Sequence, residues 1–339
     1  MADHYASKSS SVISWPVASV RRSLRLVRPP AARSLVRPAS QTVNHAQEKL
    51  HRGLAAVTGF ALMARAPLEC LAGSEAGTVA EIGAGGIHEM RVAARRLRTL
   101  LAAFADCLDE GAVVFLRREL SWLQHGLAPA REWDVFIAKT LGPRLASSPD
   151  ERGLEWLAAT ARAKRSRAYV AAQAILDHRR YARLILRFRF WLDSLDRTEP
   201  VCRTPVETVL SSYLYRQHRK LLKGLKRGSL SDSGMHRLRL RMKKVADIAE
   251  LAKPLYRGAR RRRFMSRLSK LQSSLGKRQD AVVARQLAAG LGRSAPQSAQ
   301  ATVGAIAESE RTRIACQASR FAAVCDRLLR VKTFWRKTA

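Results

Sequence analysis

An internal duplication constrains the fold of this chain more than any other feature of its sequence. The segment IHEMRVAARRL at 87–97 is similar to MHRLRLRMKKV at 235–245, which lies 148 positions further along. The same offset aligns LSWLQHGL at 120–127 with LSKLQSSL at 268–275. Two separate blocks that agree on one offset indicate a repeated structural unit rather than chance similarity. We therefore predict two related halves that meet near Pro200.

Both halves have the sequence pattern of helices. From about Val43 onward, apolar residues recur every three or four positions, and glycine and proline are sparse. No segment alternates apolar and polar residues convincingly, as a half-buried strand would. Alanine and leucine, which are both good helix formers, are abundant. These patterns predict an all-α protein.

The two ends of the chain differ from this helical region. Residues 1–42 are rich in serine, proline and arginine, and Asp3 is the only acid among them. We interpret them as a basic, disordered N-terminal arm, because no apolar stretch follows Arg21 and Arg22 as an export signal requires. Residues 332–339 have the composition of a short basic tail.

The charge balance points to a polyanionic partner. Lysine and arginine total 62 against 27 acidic residues, a net charge of +35, and arginine outnumbers lysine. Hydrophobic residues make up 47% of the chain, which is typical of a globular protein and not of a basic tail. A folded domain with so much positive charge repels itself, and arginine is the side chain best suited to phosphate oxygens.

Cysteine usage and hydropathy indicate the compartment. No CxxC pair or Cys/His cluster with metal-ligand spacing occurs, so we predict no metal and no cofactor. No apolar run reaches the roughly 18 residues that a membrane span needs. We therefore predict a cytoplasmic protein with five reduced thiols, namely Cys70, Cys107, Cys202, Cys316 and Cys325.

Helical projection places a basic face on both copies of the repeated segment. Apolar residues occupy the opposite side of each helix. In the first copy the basic face consists of His88, Arg91, Arg95 and Arg98, with Arg96 at its edge. In the second copy the corresponding residues are His236, Arg239, Lys243 and Lys244.

These faces have the character of a binding surface, although a merely solvated face stays the alternative. A solvated face normally mixes acids with bases, because like charges at helical spacing repel by roughly 0.2–0.5 kcal/mol per pair. Glu89 is the only acid within 86–101. Each helix is also expected to begin at a turn, at Gly85–Gly86 and at Ser231–Gly234, so that free N–H groups would favour an anion.

At this point the sequence resembles a known family. The repeated pattern H-x-x-R-x-x-x-[RK]-[RK] is similar to the basic helices of the CHAD family, the histidine-containing α-helical domains. The blocks LSWLQHGLAPAREWDVF, LSKLQSSLGKRQDAVVA and HRRYARLILRFRFWL resemble later blocks of that family, in the same order. The likeness covers about 43–331. It implies two four-helix bundles related by pseudo-twofold symmetry, at about 43–198 and about 203–331.

The resemblance also implies a basic surface and central groove that bind inorganic polyphosphate. It makes polyphosphate or polyhydroxyalkanoate granules expected partners. The chain lacks the ExExK motif of fused triphosphatase domains, which indicates a stand-alone module. The residues carried over are His88, Arg91, Arg95, Arg96, His236, Arg239, Lys243 and Lys244. Charge and spacing add Arg98, Arg219, Lys220 and Lys223.

Three function classes are open, and polyphosphate binding is favoured. Aromatic residues are only 6% of the chain, so bases would find few stacking partners, and nucleic-acid binding is the second hypothesis. Hydrolysis of polyphosphate would require carboxylates that hold Mg²⁺ near the basic face. Glu89 and Asp134 are the nearest candidates, and neither has a second acid one turn away. We therefore expect a non-catalytic binding module.

Overall fold

The computed structural model describes residues 49–73, 79–148, 151–195, 202–226 and 231–335. The predicted arm at 1–42 lies outside these ranges, as do the last four residues of the predicted tail. Within the described residues the chain is helical, and β-structure is limited to an isolated bridge between Ala55 and Pro205. The prediction of an all-α fold is confirmed.

The described residues contain eleven α-helices, with short 3₁₀ turns after α2 and α9 and a π turn after α4. In chain order the helices are α1 (Ala56–Ala72), α2 (Val79–Ala103), α3 (Glu110–Gly126), α4 (Ala128–Phe136), α5 (Gly142–Ser147), α6 (Arg152–Leu176), α7 (Arg179–Leu195), α8 (Val206–Leu225), α9 (Asp232–Leu251), α10 (Ala259–Gly292) and α11 (Gln297–Leu329).

Helix α2 is the first of the two repeated basic helices. Its backbone breaks at Gly83, where φ is +59°, a conformation that glycine adopts without steric cost. The sequence predicted the start of the helix at Gly85–Gly86, two residues too late. Three of the four residues at 83–86 are glycine, and the sequence does not show which of them has the positive φ. The predicted apolar face is buried, with Ile87, Met90, Ala94, Leu97, Leu101 and Phe104 in the core.

Helix α9 is the second repeated helix, and it begins where the sequence predicts. The Ser231 hydroxyl accepts a hydrogen bond from the Gly234 N–H at 3.2 Å, which caps the first turn. Leu238, Met242 and Val245 are buried on its apolar side. The periodic pattern therefore identified the core faces of both repeated helices correctly.

The two sequence halves share their packing. Helix α2 packs against α9, and α6 packs against α11. One core cluster takes Phe136 and Leu157 from the first half and Ala288 and Ile306 from the second. The division into two pseudo-symmetric four-helix bundles, at about 43–198 and 203–331, stays a prediction, and this cluster contains residues from both ranges.

The repeated LSxLQ blocks differ in how their helices continue. In the first half, α3 ends at Gly126 and α4 begins at Ala128, with Pro129 in its first turn. Proline is tolerated there because the first N–H groups of a helix have no partner within it. In the second half, LSKLQSSL lies inside the unbroken 34-residue helix α10. The duplication therefore preserves the helix positions and changes one connection.

Candidate polyanion-binding surface

The basic faces of α2 and α9 meet where these helices pack together. Helix α4 brings Arg131 to the same place. The charge of Arg131 lowers the pKa of both His88 and Arg91, so it lies close to both. We define the central basic cluster as His88, Arg91, Arg95, Arg131, Arg239 and Lys243. Five of these six residues were predicted from the sequence, and tertiary packing brings the two sets together.

Lys243 shows most clearly how crowded the cluster is. Burial, together with the neighbouring charges of Arg239 and Arg95, lowers its pKa to about 7. The Asp247 carboxylate acts in the opposite direction and does not compensate. His88 responds in the same way, since burial and then Arg131 lower its pKa. An anion bound between these groups would favour their charged forms.

Two arginines of the cluster are half-buried in different ways. Burial is the main cause that lowers the pKa of both Arg91 and Arg239. Arg91 donates a hydrogen bond from Nη1 to the Gln124 main-chain oxygen, and Gln124 Nε2 donates to the Arg91 carbonyl at 3.1 Å. Arg239 Nε is buried without a hydrogen-bond partner. Arg91 is thus anchored to α3, whereas Arg239 keeps an unsatisfied donor inside the cluster.

Arg95 is engaged in an ion pair that joins the repeated helices. Its Nε and Nη2 donate to the two oxygens of Asp247 at 2.9 and 3.0 Å. Asp247 is buried, and this two-pronged geometry is the strong form of an arginine–carboxylate pair. Asp247 lies on α9, one turn after Lys243 and Lys244. Its structural role is to hold the α2 arginine against α9.

A second group of cations lies beside the first, where α2, α3, α8 and α9 approach each other. Burial lowers the pKa of Lys244, and the charges of four surrounding bases lower it further. We define the lateral basic cluster as Arg98, Arg117, Lys220, Arg241 and Lys244. Arg98 donates from Nη1 to Gln124 Oε1 at 2.5 Å, while its Nε is buried without a partner.

The predicted His236 lines a groove between the start of α9 and the middle of α10. The groove has a volume of about 490 Å³ and also contains Arg239 of the central cluster. His236 Nδ1 lies 3.3 Å from Gln279 Oε1, and Arg278 donates to Asp232 at 2.5 Å. His236 is therefore continuous with the central cluster through Arg239.

Apart from His236, three of the predicted residues lie outside both clusters. Arg219 and Lys223 are exposed on α8. Arg96 is half-buried on α2, and its positive charge acts on the pKa of the Cys70 thiol of α1. A binding role for these three stays a prediction.

The sequence reasoning overlooked four basic residues, for two reasons. Arg131 has a counterpart in Lys277 if the repeat is aligned with the two-residue shift that pairs Asp134 with Asp280, so the repeat itself contained a signal. Arg117, Arg241 and Arg278 carry no such signal. Arg241 lies one turn before Lys244 on α9, whereas Arg117 and Arg278 reach the predicted residues only through helix packing.

One of the two candidate metal ligands, Asp134, is engaged elsewhere. Asp134 is buried and accepts hydrogen bonds from Arg165 Nε at 2.7 Å and from the Tyr169 hydroxyl. Across the described residues, no group of three or more His, Cys, Asp or Glu side chains is placed to hold a metal ion. Nor does any helix among them combine the length and apolarity required to cross a bilayer.

Comparison with models of protein families shows to which family this chain belongs. The sequence profile of the CHAD domain matches residues 62–289, which is more than half of the chain. The chain belongs to the CHAD family. The match includes α2, α4 and α9, so every member of the central basic cluster lies within the CHAD domain.

Solved structures agree with this assignment. The CHAD domain from the plant Ricinus communis superposes with a TM-score of 0.72 at 27% identity, covering 84% of this chain and 95% of that one. PptA from Streptomyces chartreusis superposes with a TM-score of 0.65 at 17% identity, covering 80% of this chain and all of that one. The second likeness is one of fold alone. Comparison with curated protein sequences gives no significant match.

Proposed function

We propose that this CHAD domain binds inorganic polyphosphate as a non-catalytic module. The observation that carries the proposal is the central basic cluster, in which cations from three helices converge and repel one another. Such an arrangement is unfavourable in the free protein and becomes favourable when an anion lies between the charges. The unsatisfied Arg239 Nε supplies a buried donor for that anion.

The geometry of the cations suits a flexible polyphosphate chain. Polyphosphate presents the same anionic oxygens along its whole length, so recognition needs several matched cations and no groups that read bases. The lateral cluster extends the positive surface beyond the central one, through Arg98 on α2 and Lys244 on α9. Binding would release counterions, with log affinity falling by about 0.7 per neutralised charge per log unit of salt, by analogy with single-stranded nucleic acid.

Nucleic-acid binding is the second candidate, and the net charge of +35 supports it. Single-stranded nucleic acid is usually held by aromatic rings on which its bases stack. In the described residues, the cations found over aromatic rings belong to Arg52, Arg118, Arg165, Arg180 and Arg187, none of which is in either cluster. The clusters therefore offer charge without stacking platforms, which favours polyphosphate.

A matched pair of double variants tests the proposal. Arg239→Gln with Lys243→Gln removes two cations from the central cluster. Arg162→Gln with Lys164→Gln removes two exposed cations from α6 and changes the charge by the same amount. Labelled long-chain polyphosphate is titrated at fixed salt by fluorescence anisotropy. We expect the cluster variant to lose about tenfold or more in affinity. The control should lose much less.

Competition defines the ligand class. The same complex is challenged with duplex DNA, RNA, heparin and orthophosphate over a range of salt concentrations. We expect polyphosphate to stay bound at salt concentrations that release the nucleic acids. Equal losses in the two double variants, together with exchange governed by charge density alone, would contradict a built polyphosphate site and favour general polyanion binding.

The absence of catalysis is a separate part of the proposal. Asp134, one of the two acids named from the sequence as candidate Mg²⁺ ligands, is neutralised by Arg165, so it is poorly placed to hold Mg²⁺. We expect no phosphate release from polyphosphate with Mg²⁺ or Mn²⁺ beyond that of a protein-free control. Release that depends on Asp134 or Glu89 would contradict this part and leave the binding proposal in place.

We also propose a cytoplasmic location, which rests on the cysteine usage, and attachment to storage granules, which rests on the family resemblance. A polyphosphate granule exposes the polymer that the central cluster would bind. Co-sedimentation of the protein with isolated granules, compared between the cluster variant and its charge-matched control, tests it.

A further inference from the structure

Two cysteines that are far apart in the sequence touch in the fold. The Sγ atoms of Cys107 and Cys202 lie 2.7 Å apart, although the two residues are 95 positions apart in the sequence. Cys107 ends the 3₁₀ turn that follows α2, and Cys202 lies just before α8. Both side chains are half-buried and both are free thiols. Contact between two thiols from different sequence halves is the arrangement from which a disulfide can form.

The backbone on both sides holds this contact in place. On the Cys107 side, its N–H donates to the Phe104 carbonyl at 2.9 Å, which closes the 3₁₀ turn. On the Cys202 side, the Thr204 carbonyl accepts from Ala56 N at 2.9 Å, and Val206 N donates to the Leu54 carbonyl at 2.8 Å. These bonds tie the segment before α8 to the start of α1, so the thiols meet as a consequence of the fold.

The two thiols differ in their readiness to react. Burial disfavours ionisation of Cys202, but hydrogen bonds from Cys107 and Thr204 outweigh it and lower its pKa. Burial and the hydrogen bond with Cys202 raise the pKa of Cys107 to about 12. Because the thiolate is the nucleophile in thiol–disulfide exchange, Cys202 would attack first and Cys107 would complete the exchange.

We propose that Cys107 and Cys202 form a reversible disulfide that links the end of α2 to the start of α8, with a small-molecule disulfide such as oxidised glutathione as the oxidant. The Cys202 thiolate attacks one sulfur of the oxidant, whose S–S bond breaks, and one reduced thiolate leaves. Cys107 then gives its proton to water and attacks Cys202 Sγ, the bond between Cys202 and the remaining half of the oxidant breaks, and the second thiolate leaves; each released thiolate takes up a proton. The two cysteines are oxidised by two electrons, and one molecule of the small disulfide is reduced to two thiols.

The pair is distinct from the other cysteines and from the basic clusters. Cys325 is buried, which shields its thiol from an oxidant in solution, and burial raises its pKa to about 12. Cys316 is exposed and therefore serves as a control for oxidation that depends on access alone. Because neither Cys107 nor Cys202 belongs to a basic cluster, this proposal does not depend on polyphosphate binding.

Counting free thiols in the full-length folded protein tests the proposal. The protein is equilibrated with mixtures of reduced and oxidised glutathione, alkylated and analysed by mass spectrometry. We expect two of the five thiols to become protected together, with a peptide cross-link between Cys107 and Cys202 that dithiothreitol reverses. Cys316→Ser should still lose two thiols to the cross-link, whereas Cys107→Ser and Cys202→Ser should lose the cross-link.

A stability measurement provides a second readout. A cross-link that closes a loop of this length restricts the unfolded chain, so we expect oxidation to raise Tm by about 5 °C or more in the wild type. Neither single variant should show the rise, and far-UV circular dichroism establishes that both are folded. The proposal is overturned if the folded wild type keeps both thiols free to alkylation, or carries glutathione on them without forming the cross-link.

Discussion

At the scale of the residue, Lys243 shows most clearly that a group suited to binding an anion can destabilise the folded protein. It is half-buried on α9, and its charged form is disfavoured by burial and by Arg239 and Arg95. A lysine placed for stability alone would extend its ammonium group into water, as long cationic side chains usually do. The cost of holding Lys243 here is understandable if a bound anion offsets it.

This conflict predicts a pH-dependent effect of Lys243→Met. The ordinary pKa of the lysine is near 10.5 and its folded pKa is about 7, so the unfolded chain binds more protons between these values. The wild type therefore gains stability as pH rises through this window and carries the full penalty below about pH 7. We expect the variant to melt several degrees higher than the wild type near pH 6, with the difference shrinking towards pH 10. Thermal melts at both pH values measure it. A difference that does not change with pH would refute the assignment.

At the scale of the element, the two repeated segments show that similar sequences make similar helices with different surroundings. Gly126 ends α3, and a Cβ added there would collide with the Ile175 side chain of α6. Gly276 lies inside α10, and a Cβ added there would meet nothing within 4 Å. The first glycine permits a close helix contact, whereas the second only weakens a helix.

Substitution of these glycines by alanine should therefore have opposite effects. Gly276→Ala is expected to stabilise the protein by about 0.5–1 kcal/mol, because alanine has the higher helix propensity. Gly126→Ala is expected to destabilise it by about 1–3 kcal/mol, because Ile175 must move. Urea unfolding of the two variants tests both signs. Destabilisation by Gly276→Ala would contradict the finding that there is open space for a Cβ at this position.

At the scale of the whole molecule, the central cluster depends on contact between the two sequence halves. Arg95 comes from α2 and Asp247 from α9, and their ion pair holds the repeated helices together at the point where the basic faces meet. Asp247 therefore has two effects: it stabilises the assembly of the cluster, and it occupies an arginine that would otherwise be available to a ligand.

We expect Asp247→Ala to separate stability from binding. Removal of the carboxylate leaves Arg95 half-buried without its partner, which should cost about 2–3 kcal/mol of unfolding free energy. The same change frees Arg95 and adds one net positive charge, so the affinity for polyphosphate should rise in the molecules that remain folded. Urea unfolding and anisotropy titration measure the two effects. Asp247→Asn, which preserves the shape, should lie between the wild type and Asp247→Ala in stability.

Loss of both stability and affinity in Asp247→Ala would mean that the ion pair positions Arg95 for the ligand. In that case the pair belongs to the binding surface rather than competing with it. Gain of affinity at reduced stability would support the competition that the geometry predicts.

Helical periodicity predicts some members of the two basic clusters and not others. His88, Arg91 and Arg95 follow one another on one helix face, so spacing alone placed them together. Arg117 reaches Lys244 across a helix interface, and no spacing along the chain signals this. The same holds for the contact between Cys107 and Cys202, which the sequence presented as two unrelated thiols.

The amino-acid sequence alone predicts the all-α character, the duplication, the buried faces of α2 and α9, and the strong positive charge. These follow from local periodicity and composition, which operate over a few residues or over the whole chain. Three features are seen only in the folded protein: the two basic faces converge, Asp247 pairs with Arg95, and Lys243 is desolvated. The physical reason is that electrostatic energies depend on burial and on distances between residues far apart in the chain, and packing alone sets both.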